Sequence, residues 1–165
     1  MWASLRRYII YAIILAVIIG AVVFGSNYGC ANVSRNSPSV GGLTADSTAW
    51  FSQLELNDAA LSELNYGDVI LYRTPNEADA FYLGRIVGKP GDLIEMHEGV
   101  LKRNKQLVDE PYLKSTDKID IPNLLVPKAT VYVLIDHRKL RSKDSRLFGP
   151  IAASAIVGRV KNIKY

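Results

Sequence analysis

Cysteine and histidine are scarce in this chain of 165 residues, which holds Cys30, His97, His137 and no others of either type. One cysteine excludes an intramolecular disulfide and leaves Cys30 either an unpaired thiol or one end of an interchain bridge. One cysteine and two distant histidines offer no ligand spacing for a metal, and no cofactor is implied. Acidic residues are missing altogether before Asp46. Runs of one charge sign are missing as well. With Arg6 and Arg7 set aside, 18 basic residues stand against 16 acidic ones, a net of +2 with the signs interspersed. That excludes a nucleic-acid footprint. There is no internal repeat and no low-complexity tract.

An apolar run fills the acid-free beginning. Tyr8 to Gly25 are 18 uncharged residues dominated by Ile, Val and Ala, just enough to cross a hydrocarbon core about 30 Å thick. The core of a cleaved secretory signal is ~7–15 residues, shorter than this one. A lipoprotein signal ahead of Cys30 would need Leu where Asn27 stands. The expectation is a retained transmembrane helix over 8–25 behind a cytoplasmic tail over 1–7. Arg6 and Arg7 keep the N-terminus inside, which places the rest outside the cell, anchored to the cell membrane by a single pass. Residues 26–42, rich in Ser, Asn and Gly, read as a linker to a domain over 43–165.

Within that domain the periodicity is that of strands. Trp50 and Phe51 are adjacent aromatics that suit either a core or the headgroup zone of a nearby membrane. Asn57 to Leu64 reads as a short helix capped by Asn57, with Leu61 and Leu64 on one face. Val69–Tyr72 and Phe81–Val87 are continuous apolar runs, with a polar loop expected over Arg73–Asp79. Lys89-Pro90-Gly91-Asp92 is a type II turn, because Pro presets φ and Gly accepts a positive one. Leu93–Glu98, Val100–Arg103 and Gln106–Val108 form a hairpin meander, Thr130–Ile135 is a β-branched run, and Ala152–Val160 closes the chain. Strands at roughly 8–12 residue spacing with turns between them indicate an all-β domain.

Four ordered segments carry a family resemblance. Gly84-Arg85-Ile86-Val87-Gly88-Lys89-Pro90-Gly91-Asp92 resembles the K-R-[VI]-[VI]-G-x-P-G-D box of bacterial type I signal peptidases. Gly67–Tyr72 resembles their G-D-[IV]-[VI]-x-[FY] strand. Gly99–Lys105 with Glu110-Pro111-Tyr112 resembles their G-x-L-x-x-N…E-P-Y segment. Asp136–Ile151 is similar to their G-D-N-R-x-x-S-x-D-S-R box, with Ser142, Asp144, Arg146 and Gly149 in place. The resemblance implies a coiled β-sheet domain of the signal peptidase type behind one N-terminal transmembrane helix.

It also implies a serine nucleophile and a lysine base, and neither is found where the family has it. The base position holds Gly84, which has no side chain. Arg85 cannot take over because a guanidinium keeps its proton, and Lys89 lies in a solvated turn. The nucleophile motif S-M-x-P-T is missing before Gly67. Three registers place Thr44, Asp46 or Arg35 at that position, with Asp46 favoured over Thr44 and no serine in any of them. Other groupings weighed are His137 acting on Ser142 or Ser47, and a carboxylate pair of Asp46 with Asp144. Asp144 is instead expected to pair with Arg146 as a structural ion pair, leaving Ser142 a spare hydroxyl.

The resulting expectation is a chain that is not an enzyme and that binds an extended polypeptide in a cleft lined by Thr44, Asp46 and Gly84, with Tyr82 and Leu83 either lining it or packed in the core. The missing lysine side chain is expected to leave the groove floor open, which also invites a homodimer. Members of the family without the dyad accompany pilus assembly in Gram-positive bacteria. The resemblance to them implies an accessory, chaperone-like role, with a pilin subunit and the pilus-type sortase as partners. The alternative is a divergent signal peptidase that cuts a restricted secreted substrate with a non-standard nucleophile.

Overall fold

The computed structural model describes residues 2–33, 40, 43, 47–53, 58–74, 77–113, 115, 117–140 and 143–161. An opening helix, α1 (Trp2–Asn27), runs without a break into strand β1 (Tyr28–Asn32). Within α1, Tyr8–Asn27 is exposed along its whole length and is long and apolar enough to cross a membrane. Its 20 residues correspond to about 30 Å of helix at 1.5 Å per residue. β1 falls in the stretch expected to be a linker. It forms because it pairs antiparallel with β2 (Thr48–Gln53) across five residue pairs from Tyr28↔Ser52 to Asn32↔Thr48. Small Gly29 and Ala31 face Phe51 and Ala49 across that pairing, a contact no local pattern announces.

Two sheets follow, built around β3 (Val69–Thr74) and the long β4 (Glu77–Gly88). The larger sheet has the order β1-β2-β11-β3-β4-β9-β10, with β9 at Thr130–Leu134, β10 at Ile151–Ala152 and β11 at Ile156–Val160. The smaller has the order β7-β6-β5-β8, with β5 at Leu93–His97, β6 at Val100–Arg103, β7 at Gln106–Leu107 and β8 at Ile121–Leu125. A short helix α2 (Asp58–Glu63) precedes β3, and α3 (Ser145–Phe148) lies between β9 and β10. β4 begins at Glu77, inside the expected loop, because the polar residues there continue the β3 hairpin down to Thr74↔Glu77.

The apolar runs of β3, β4 and β9 are continuous because both faces of the sheet are covered. On one face Ile70, Tyr72, Tyr82, Ile86, Val131 and Val133 pack together; on the other, Leu71 and Leu83 join one cluster and Val87, Tyr132 and Leu134 another. Tyr72 and Tyr82 are wholly buried. Burying an apolar side chain of this size contributes on the order of 1.5–3 kcal/mol, which fixes the β3–β4 register on this face. Gly88 lets the smaller sheet close in, since a β-carbon there would meet Ile94 at 2.9 Å.

Candidate functional site

The site grows from the centre of β4. Gly84 lies opposite Ile70 of β3, and a β-carbon on it would come 2.8 Å from Val133 Cγ2 and 3.1 Å from Tyr72 Cε1. The expected open groove floor is therefore corrected: Val133 and Tyr72 occupy the space a side chain at 84 would need. The ground for expecting a homodimer through that floor goes with it. Of the two places open to Tyr82 and Leu83, the cleft wall and the core, they take the core: they are 0% and 1% exposed and lie on either side of the strand. Apolar side chains on a strand covered on both faces have no open wall to line. Thr44, Asp46 and Ser142 lie outside the described residues.

β9 pairs with only part of β4. Among the described residues the pairs are Arg85↔Leu134, Ile86↔Val133 and Gly88↔Tyr132, and they do not extend to the first part of the strand. Ile86 turns its backbone N–H and C=O towards the β3 side, donating to Asp68 O at 2.9 Å and accepting from Gly67 N at 2.9 Å. Backbone polar groups alternate between the two flanks of a strand. Phe81 accordingly turns its own to the opposite flank, ahead of the first pair with β9 at Arg85.

Arg85 locks the strand at that point. Its side chain is 1% exposed and forks onto Asp136, with Nε donating to Oδ1 at 2.8 Å and Nη2 to Oδ2 at 2.7 Å. Nη1 donates to Gly67 O at 2.7 Å, and the Tyr112 ring lies 4.0 Å from the guanidinium carbon. With a bidentate carboxylate this guanidinium acts as a clamp, tying β4 to the end of β9.

A lysine does approach the site, from a place the sequence reading passed over. Lys143 Nζ donates to Tyr82 Oη at 3.0 Å and lies 5.2 Å from the centre of the Tyr82 ring. Tyr72 Oη donates to the Lys143 carbonyl at 2.5 Å. The Tyr82 side chain stands two residues before Gly84 on the same face, so this amine comes in from the loop before α3 rather than from β4. Burial, then the charge of Asp144, pushes the Tyr72 hydroxyl far above its ordinary value, so Tyr72 acts as a hydrogen-bond donor and not as a base.

Asp144 is fully buried and committed elsewhere. Its carboxylate accepts from Arg146 N and Nε, each at 3.0 Å, and from Ile135 N at 3.2 Å, capping α3. Arg146 Nη2 closes the ion pair at 2.8 Å. Gly149 ends α3 with φ 75°. A second buried pair joins Arg138 to Glu110, whose Oε1 also accepts from Tyr112 Oη at 2.8 Å. His137 sits with Nδ1 3.3 Å from Ser115 Oγ. The Glu110–Arg138 pair was missed because it joins two quoted motifs that are far apart in sequence.

The family model for signal peptidase, peptidase S26, matches residues 2–165. Signal peptidase IB of Staphylococcus aureus strain Mu50 is 36% identical over 115 residues, 59% of this chain and 59% of that protein. Signal peptidase I of Bacillus amyloliquefaciens is 34% identical over 112 residues, 61% of this chain and 57% of that protein. The chain thus spans about three fifths of the length of these relatives. A crystal structure of a signal peptidase I from Enterococcus faecalis shares the fold, with a TM-score of 0.52 at 24% identity, covering 59% of this chain and 97% of that one. These matches overturn the expectation that the chain is not an enzyme. The family and the relatives are peptidases by name, and a glycine at one position is no ground for placing the chain outside them.

Proposed function

Since this chain belongs to the signal peptidase S26 family, we propose that it receives an extended polypeptide along the flank of β4 ahead of Arg85 and serves sortase-dependent pilus assembly. The partners are a pilin subunit and the pilus-type sortase, and α1 anchors the chain in the cell membrane with its N-terminus in the cytoplasm. The observation that carries the binding mode is that, among the described residues, β9 pairs with β4 only from Arg85 to Gly88, leaving Phe81 ahead of that pairing. An added strand gains affinity from main-chain hydrogen bonds and takes its specificity from alternate side chains. Support for the pilus role is the resemblance to family members that lack the dyad, since Gly84 stands here at the base position.

The test uses the full chain in nanodiscs and pilin-derived segments that follow the signal peptide. Fluorescence anisotropy should show saturable binding, and methylating alternate backbone nitrogens of the segment should weaken it at least tenfold. That factor corresponds to about one hydrogen bond at ~1.4 kcal/mol. Equal binding by the methylated segments would rule out strand addition.

The relatives' activity and Lys143 favour a second reading, hydrolysis of a restricted secreted substrate. Any base for that step comes from outside position 84. Cleavage of signal-peptide and pilin-derived substrates that is lost in Lys143→Ala, with folding unchanged, would establish it. Cleavage indifferent to Lys143 would remove this amine from the chemistry.

A further inference from the structure

The end of α1 and the edge of the larger sheet flank an open cavity of about 620 Å³. Gly20, Val23, Phe24 and Asn27 line it from the helix, and Ser52, Arg159 and Lys161 from the sheet side. The strand registers explain why these side chains meet. Tyr28 pairs with Ser52, and Ser52 with Arg159, so the three form one row across β1, β2 and β11. Cys30 pairs with Trp50, whose carbonyl accepts from Lys161 N at 2.8 Å, which makes a second row two residues along. Side chains two apart on a strand share a face. One face of this corner therefore gathers Arg159, Lys161, Trp50 and Tyr28, while Phe51 and Val160 turn the other way into the core.

Depth decides what such a face meets. Tyr8–Asn27 is long enough to cross a hydrocarbon core of about 30 Å, and the cavity runs along the last two turns of that stretch, from Gly20 to Asn27, and on to Tyr28. Trp50 is 51% exposed and Tyr28 42% exposed, as suits amphipathic rings at the membrane boundary. Phe24 stacks on Tyr28 with ring centres 4.8 Å apart, joining the helix end to the sheet. Arg159 is only loosely held: Nη1 lies 3.3 Å from Asp68 Oδ2, both side chains are part exposed, and such pairs contribute little. Its Nε is buried without a partner. Glu63 also lines the cavity and keeps the cations apart from a wholly positive field.

We propose that this cavity is a binding site for the phosphodiester of an anionic membrane phospholipid, held by Arg159 and Lys161 beside Trp50. The inference rests on α1 being inserted in a bilayer. A lipid seated there fixes how the domain stands on the membrane and so the height at which the β4 flank is presented.

The test takes the full-length chain with Trp2→Phe, which leaves Trp50 as the sole tryptophan, in vesicles of phosphatidylcholine with or without phosphatidylglycerol. Alkaline extraction first shows whether the chain is inserted; a chain that washes off ends both the anchor reading and this one. In inserted protein, brominated phosphatidylglycerol should quench Trp50 more than brominated phosphatidylcholine at equal mole fraction. Near-surface cations each favour anionic lipid by roughly fivefold, so Lys161→Gln, a change at an exposed position, should cut the preference by about that factor. Adding Arg159→Gln should bring it to parity. Equal quenching by the two lipids, or a preference untouched by Lys161→Gln, would overturn the site. Displacement by millimolar inorganic phosphate would do the same, by showing a site for free phosphate.

Discussion

A β-carbon at position 84 would lie 2.8 Å from Val133 Cγ2, closer than real side chains approach. Gly84 is thus the residue around which β3, β4 and β9 close. Gly84→Ala is expected to destabilise the chain by about 1–3 kcal/mol through overpacking. Gly84→Lys should cost more, because it adds an ammonium to an apolar face. Thermal and urea unfolding of the full chain in detergent measures both. In a double-mutant cycle Gly84→Ala should cost less in a Val133→Ala background. A neutral Gly84→Lys would mean that the floor is open after all. Sequence alone showed that the lysine is replaced. It could not show that the vacated space is filled, because Val133 lies 49 positions away and reaches Gly84 only through the β4–β9 pairing.

At the scale of elements, buried ion pairs add ties to those made by strand pairing. Arg85 to Asp136 ties β4 to the end of β9, and Glu110 to Arg138 ties the Glu110-Pro111-Tyr112 segment to the loop beyond it. Arg138 is 2% exposed, and its Nε and Nη1 have no partner, so Glu110 is its counter-charge among the described residues. Glu110→Ala should therefore destabilise by about 3–5 kcal/mol, the cost of leaving a buried charge alone. The double replacement Glu110→Leu with Arg138→Met should recover much of that loss in the same unfolding measurement. If Glu110→Ala were neutral, the pair would not hold the segment. The strands themselves were legible where apolar runs are continuous, as in Val69–Tyr72, Phe81–Val87 and Thr130–Ile135. β1 and the first part of β4 were not, since Tyr28–Asn32 and Glu77–Ala80 become strands through partners and not through their own composition. Trp50 and Phe51 show the same limit. Their adjacency was visible, but only the β2 register sends Phe51 inward and Trp50 outward.

For the molecule as a whole, the tyrosines set an alkaline limit. Burial pushes Tyr132 up to about 12, and it pushes Tyr72 and Tyr112 higher still; Tyr66 is raised too, first by burial and then by its bond to Asp92. Unfolded tyrosine ionises near 10. Below that pH both states keep the proton, and the stability tied to these groups is fully present. Above it the unfolded chain loses protons first, so stability falls as pH rises through the folded values. Absorbance at 295 nm should show exposed tyrosines ionising without hysteresis, followed by a cooperative step that coincides with loss of circular dichroism. A single smooth titration of all nine tyrosines near pH 10 would contradict the buried network.

Strand addition at β4 is tested most directly by hydrogen exchange on the full chain in nanodiscs, with and without a saturating pilin-derived segment. Protection should appear at the Phe81 amide and its neighbours, with Ile86 unchanged because its N–H already donates to Asp68. Binding that leaves Phe81 exchanging as before, and protects some other strand edge instead, would contradict the proposed site.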